Sequence, residues 1–319
     1  MQMRRFWPQA GGWTLDVRQY LRPQRVNRQL RPVLLIPGYC MNTTPLTFHP
    51  SGPSLIEYLT EQGLEVWTAN LRGQGDSHSP RGAGDSGFRD LALVDLPNAL
   101  AQVQRGTESQ QQRVDVIGCS LGGTYLYAYL AHHTESHPIG SVVGMGAPLR
   151  WPRPHALLRT LFASPEFASR VRVSGTRRMA ELALPLARRF PKMLSMYMNA
   201  EIVDLAGLDT LLATVEDPIP KLNGEIARWV KSQELVVSGL NVAEALGRID
   251  RPYLCVVANR DGIVPLDSAR SAAAAFAKSE TLLVGDDEIW FAHADLFVSR
   301  PAQERVFAPL ADWLIQQHR

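Results

Sequence analysis

Cysteine is scarce. Cys40, Cys119 and Cys255 are the only three in 319 residues, widely separated and odd in number. That excludes a disulfide framework and any metal site built on closely spaced cysteines. Two of the three stand in apolar runs, the setting of buried thiols in a reducing compartment. Charge of one sign is missing as well. Lys plus Arg is 33 against 31 for Asp plus Glu, so no global field argues for nucleic acid as a partner. No apolar run approaches the roughly 20 residues of a membrane span. Residues Met1 to Pro8 carry Arg4 and Arg5 with no apolar stretch behind them, which argues against a signal peptide and makes the cytoplasm the expected location. There is no internal repeat and no low-complexity tract. The hydrophobic content, 45%, is that of an ordinary globular protein, long enough for one elaborated domain or two.

What is present is an alternation of short apolar runs and helical patterns. The Arg-rich residues before about position 31 suit an edge hairpin. Residues 32–38, 66–70, 113–117, 139–145, 253–258 and 281–284 read as buried strands. Between them, 54–63 repeats apolar residues at helical spacing and stops at Gly63, and 91–103 is a second helix with an internal Pro97. An Ala-rich helix is expected over 268–278 and a last one over 302–317. Such alternation predicts an α/β fold, with a mostly parallel sheet covered by helices on both faces. From 150 to 237 the rhythm breaks into proline-punctuated helical patterns with no convincing strand. The expected organisation is therefore a core of residues 1–149 and 238–319 with a helical cap, 150–237, inserted.

One stretch carries chemistry. Gly118-Cys119-Ser120-Leu121-Gly122-Gly123 follows a β-branched strand and precedes a helix free of Gly and Pro, the context of a nucleophile elbow. The tight turn strains Ser120 and needs Gly118 and Gly122 beside it. A serine hydroxyl needs a histidine as base, and the histidine needs a carboxylate to hold it. His293 and Asp261 qualify because each follows a predicted strand at its carboxyl end, and the order Ser, Asp, His suits an elbow of this kind. Asp261 can instead shape an Asp-Gly turn, Asp286 and Asp287 lie nearer to His293 in sequence, and Asp295 can cap the last part of that loop. His49 and His78 also follow strands and can line a pocket. The oxyanion requires two donors, for which the Leu121 N–H and the Tyr39 N–H in the turn after the first long strand are the candidates.

These segments together resemble the α/β-hydrolase superfamily: Ile36-Pro37-Gly38-Tyr39, Gly118 to Gly123, Asp261-Gly262-Ile263-Val264-Pro265 and His293. Residues 66–77 and Asp95-Leu96-Pro97 are similar to acid-lipase-like and esterase members. The resemblance covers about three quarters of the chain and leaves out the cap. It implies a Ser-His-Asp hydrolase acting without cofactor. Pro37 stands where a histidine is common, which leaves the backbone donor in place. The polyhydroxyalkanoate synthases are similar in arrangement but use cysteine, and Cys119 is out of register with the flanking glycines.

The function expected is hydrolysis of carboxylic esters through an acyl-enzyme on Ser120, with small-molecule or lipid esters as partners. Acyl transfer shares the same first half, and a non-catalytic binding protein on the same scaffold is the third reading. In the cap, Leu157, Leu158, Leu161, Phe162, Met193, Leu194, Met196, Tyr197 and Met198 suit helix packing or the roof of an acyl pocket. Its arginines suit a solvated face, the favoured reading, or recruitment of an anionic substrate or membrane surface.

Overall fold

Eight strands form one sheet in the computed structural model, which describes residues 1–80 and 82–318, excepting the side chains of Leu157 and Leu161. They are Gln2–Phe6 (β1), Asp16–Leu21 (β2), Val33–Ile36 (β3), Val66–Asn70 (β4), Val114–Cys119 (β5), Ile139–Met145 (β6), Pro252–Ala258 (β7) and Lys278–Val284 (β8). The spatial order is β1-β2-β4-β3-β5-β6-β7-β8. Every pairing from β4 through β8 is parallel, and β2 runs against both β1 and β4. The expected edge hairpin is therefore β1 with β2. Its arginines are not simply solvated: Arg5 and Arg18 both bond the fully buried carboxylate of Asp16.

Successive residues of the inner strands alternate between two cores. Leu34, Ile36, Val116 and Val142 join one cluster, while Val33, Leu35, Ile117 and Val143 join the other. A strand whose two faces are both buried needs apolar residues at every position, which is why these runs read as continuously apolar. Leu55–Glu61 (α1) covers one face, its first turn closed by a reciprocal Ser54–Glu57 capping box. Leu96–Gly106 (α2) and Leu121–His132 (α3) cover the other.

Three elements depart from the sequence expectations. The helix predicted over 91–103 begins earlier, at Phe88–Asp90, and carries a π turn, Leu91–Asp95, just before Pro97, so the residue that cannot donate an N–H stands where the regular hydrogen-bond ladder is already displaced. The terminal helix repeats the device: a π turn at Gln303–Phe307 leads without a break into Ala308–Gln316 and stands just before Pro309. The Ala-rich helix is cut to Leu266–Arg270 and a 3₁₀ turn at Ala273–Ala275. There Ser271 Oγ donates to Ser268 O and accepts from the N–H groups of Leu149 and Arg150, tying the chain to the loop after β6. Phe276 then stacks on Tyr253, ring centroids 4.3 Å apart, and leads straight into β8, three residues earlier than expected. Tertiary contacts override alanine's helix propensity.

Between β6 and β7 the chain holds Thr176–Arg189 (α4), Pro220–Ser232 (α5) and several shorter turns. α5 is anchored in the first core, where Trp229 meets Phe88 and Trp151 edge-on and its indole N–H donates to Leu149 O. The rest is pinned by two isolated bridges, Met41 with Val215 and Val203 with Ser299. Pro185 sits inside α4. Ala308–Gln316 (α6) closes the fold. Among the described residues no helix is long and apolar enough to cross a membrane.

Candidate active site

β5 ends at Cys119 and α3 begins at Leu121, so Ser120 alone makes the turn, at φ 52° and ψ −128°. A residue with a side chain in that region costs about 1–3 kcal/mol, and the surroundings hold it there. Ser120 N–H donates to Met145 O on β6 at 2.8 Å. An added Cβ on Gly118 would lie 2.3 Å from Gly123 Cα, and one on Gly122 would lie 2.3 Å from Ile36 O. Both glycines are thus required for the elbow to close against its strand and against β3. Cys119 points the other way, fully buried in the second core, where burial pushes its thiol pKa up. It is no nucleophile here.

His293 is brought in by the loop after β8. Its Nδ1 is 2.6 Å from Asp261 Oδ2. Asp261 follows β7 and uses its two oxygens separately. Oδ1 accepts from the N–H groups of Ile263 and Val264, each at 2.8 Å, while Oδ2 faces the imidazole. The two readings open in the sequence, turn former and histidine partner, are both satisfied by one residue. The bond fixes Nδ1 as the protonated nitrogen and leaves Nε2 as the basic one. Burial of His293 acts to lower its pKa, but the Asp261 charge and hydrogen bond outweigh it, and the net direction is up. Gly146, at φ +56°, gives the ring its space: a Cβ there would lie 3.1 Å from His293 Cε1.

Ser120, His293, Tyr39 and Leu121 line a single cavity of about 490 Å³. Neither Tyr39 N–H nor Leu121 N–H donates to a protein acceptor among the described residues, so both are available to a ligand oxygen. The remaining lining is almost wholly apolar and comes largely from the segment between β6 and β7, including Leu158, Phe162, Leu184, Leu194, Tyr197 and Met198. Of the cap residues named from sequence, Met193 is exposed instead, and Met196 presses its backbone against Gly262. Leu157 and Leu161 lie outside the described side chains. His49 and His78 do not line the cavity. His49 Nε2 bonds Ser299 O at 2.9 Å, and His78 is exposed with Nδ1 on Asp76 O.

One residue with an evident role, Gln74, was not singled out from sequence. Gln74 Nε2 donates to Gly38 O at 2.7 Å, while its Oε1 accepts from Leu71 N–H. Gly38 O and Tyr39 N–H belong to one planar trans peptide, so holding the oxygen aims the N–H the opposite way. Asp295 is expected from the sequence as a cap for the last part of its loop. It is fully buried and accepts from Ala292 N–H at 2.6 Å and from Asn199 N–H with both oxygens. It clamps the His293 loop to the segment between β6 and β7. Burial raises its pKa to about 6. The Gly38–Gln74 contact joins the ends of two strands that are 36 residues apart, which no local pattern announces. Among the described residues, no group of three His, Cys, Asp or Glu is placed to hold a metal ion.

A family model for the alpha/beta hydrolase fold matches residues 31–291. A thermophilic esterase from Thermogutta terrifontis superposes with a TM-score of 0.64 at 18% identity, with 100% of both chains covered. An esterase from Rhodococcus gives 0.62 at 17%, covering 99% of this chain and 100% of that one. A membrane phospholipase A, described as a bacterial virulence factor, gives 0.62 at 16%, covering 99% of this chain and 87% of that one. At such identities the likeness is one of fold. No curated protein matches the sequence. The family model spans β3 through β8 and the elbow among them, and the chain belongs to the alpha/beta hydrolase fold family.

Proposed function

We propose that this protein is a serine hydrolase of carboxylic esters with apolar acyl groups. The observation that carries the reading is the opening of one apolar cavity onto both Ser120 and His293, with the imidazole held by Asp261 at 2.6 Å. Ser120 Oγ attacks the ester carbonyl carbon as His293 Nε2 takes the hydroxyl proton. Asp261 stabilises the imidazolium and stays ionised. The carbonyl oxygen becomes an oxyanion held by the N–H groups of Tyr39 and Leu121, each such donor contributing about 3 kcal/mol of transition-state stabilisation. Collapse expels the alcohol, which takes the proton from His293 and leaves an acyl group on Ser120. Water, deprotonated by His293, repeats the sequence in reverse and releases the acid.

The cavity argues for the substrate class. At about 490 Å³ it falls within the range of sites that enclose whole small ligands, and its lining offers almost nothing polar to a charged acyl chain. Residues 150–237 act as the cap that decides which ester enters. The test is a p-nitrophenyl ester series of rising acyl length, together with labelling by a fluorophosphonate probe. Turnover that rises with acyl length and labelling lost in Ser120→Ala support the reading. Absence of both turnover and labelling in the folded wild type rejects it.

A further inference from the structure

Exposed large apolar side chains are concentrated in one place. Met179, Leu182, Leu186, Phe190 and Met193 fall within fifteen residues, and Leu182 and Met193 are 77% and 63% exposed. In α4, positions 179, 182 and 186 are spaced three and four apart and share one face. Positions 180, 184 and 187 share the neighbouring face and line the cavity. Ala183 lies between the two faces, both exposed and lining the cavity, so the cavity edge runs beside the apolar stripe. α4 is therefore a thin wall with apolar side chains turned toward the cavity and toward water.

The same stretch is cationic. Residues 176–193 hold Arg177, Arg178, Arg188, Arg189 and Lys192 against Glu181 alone. Arg177 is engaged with Glu216, and Arg188 with Asp209. Among the described residues Arg178 and Lys192 have no ion pair, and Arg189 lies over the Phe190 ring at 5.3 Å. An apolar stripe left in water is unfavourable in proportion to its area, and single folded chains rarely expose one without an occupant. A second copy of this chain would bring like cations face to face across a two-fold axis. A neutral apolar partner would leave them unmatched.

We propose that this face docks on an anionic glycerophospholipid surface. The apolar side chains enter the boundary between headgroups and acyl chains, and Arg178, Arg189 and Lys192 meet the phosphates. Docked so, the cavity edge at Ala183 faces the lipid, and an ester can pass from membrane to Ser120 without crossing water. Only that last step rests on the proposed hydrolase activity. The docking does not.

Flotation with vesicles separates the possibilities. Wild type should float with vesicles of equal phosphatidylglycerol and phosphatidylcholine, and bind about tenfold or more weakly to pure phosphatidylcholine or at high salt. The Leu182→Glu, Leu186→Glu double variant should lose flotation while keeping the far-UV spectrum and thermal midpoint of wild type, which shows that it is folded. Ser120→Ala should float like wild type, so a failed hydrolase reading and a failed docking reading give different results. Wild type left in the aqueous fraction, or the double variant floating as well as wild type, overturns the proposal. A wild-type dimer that the double variant dissolves, without flotation, would assign the face to a second copy and overturn it equally.

Discussion

Around Ser120 an added methyl group has nowhere to go. On Gly118 or Gly122 it would meet backbone at 2.3 Å, and on Gly38 it would meet Ser120 Cβ at 2.7 Å. At the head of α4 the case is opposite: a Cβ on Gly175 meets nothing within 4 Å. The floor of the cavity is made by strand ends locked to one another through backbone atoms, and part of its roof by the side chains of Ala180, Ala183, Leu184 and Ala187 on α4. Close-packed backbone holds side chains to a fraction of an ångström, which the proposed acyl transfer would require. A roof of alanines and leucines is free to vary without disturbing that geometry. Substitutions in the floor should therefore alter rate for every ester, while substitutions in the roof should alter which ester is preferred.

The largest effect belongs to Ser120→Ala, which should reduce turnover by on the order of 10⁵-fold or more with the thermal midpoint little changed. Residual turnover within tenfold of wild type in the purified variant would remove Ser120 from the mechanism and dissolve the contrast between floor and roof. Asp261→Asn comes next, at about 10⁴-fold in kcat. It also carries a pH signature. His293 must be neutral to accept the serine proton, so activity falls as pH drops through its pKa, which lies above the ordinary 6.5. With the Asp261 charge gone, burial is left acting downward, and the acid limb of kcat/KM should move to lower pH. Stability runs the other way. A raised histidine pKa means the folded state binds the proton more tightly, so this contribution is complete below about pH 6.5 and is lost as pH rises through the folded value. An acid limb that stays put in Asp261→Asn would show that another group controls it.

Gln74→Leu sharpens the comparison within the floor. It does not line the cavity, and it reaches the Tyr39 N–H through the Gly38 carbonyl while its Oε1 also accepts from Leu71 N–H. Losing an oxyanion donor outright costs about 10²–10³-fold in kcat, so mis-aiming one should cost roughly 10- to 100-fold with KM unchanged. A parallel fall in stability alone, with kcat intact, would reduce Gln74 to a loop brace. Gln74→Glu keeps an acceptor for Leu71 N–H but cannot donate to Gly38 O, and it should lose kcat as well.

The floor was largely legible in the sequence, and the roof was not. Buried strands need apolar residues on both faces, so Val33–Ile36 and Val114–Cys119 announce themselves locally. The elbow does so too, because only glycine fits at 118 and 122. Asp261 and His293 could be picked by position after strands. Gln74 could not, because its partner Gly38 is distant in sequence and the signal is one carbonyl oxygen. Nor could the shortened Ala-rich helix, where Ser271 Oγ accepts from the N–H groups of Leu149 and Arg150 in another loop. In the roof, the apolar periodicity of 176–193 was ambiguous in kind. A helix packed on a core, a helix over a cavity and a helix offered to a membrane share the same spacing, and only the tertiary structure separates Leu184, which faces the cavity, from Leu182, which faces water.

The smallest effect tests the roof directly. Ala187 lines the cavity from α4 and is only partly exposed, so Ala187→Phe puts a ring into space that a long acyl chain would occupy. The elbow, the His293–Asp261 bond and the Tyr39 turn are untouched, so kcat for a short-chain ester should remain within about twofold of wild type. For a long-chain ester the lost volume must be recovered by displacing the acyl group, and pockets discriminate by about 1–3 kcal/mol per methylene excluded. kcat/KM for that ester should fall about tenfold or more, mostly through KM, and the optimum of the chain-length series should move to shorter acyl groups. Equal losses for short and long esters would mean that α4 supports the floor instead of shaping the roof. No loss for either would place the acyl chain elsewhere along the cavity, against Leu208 and Leu211, where the same substitution logic applies.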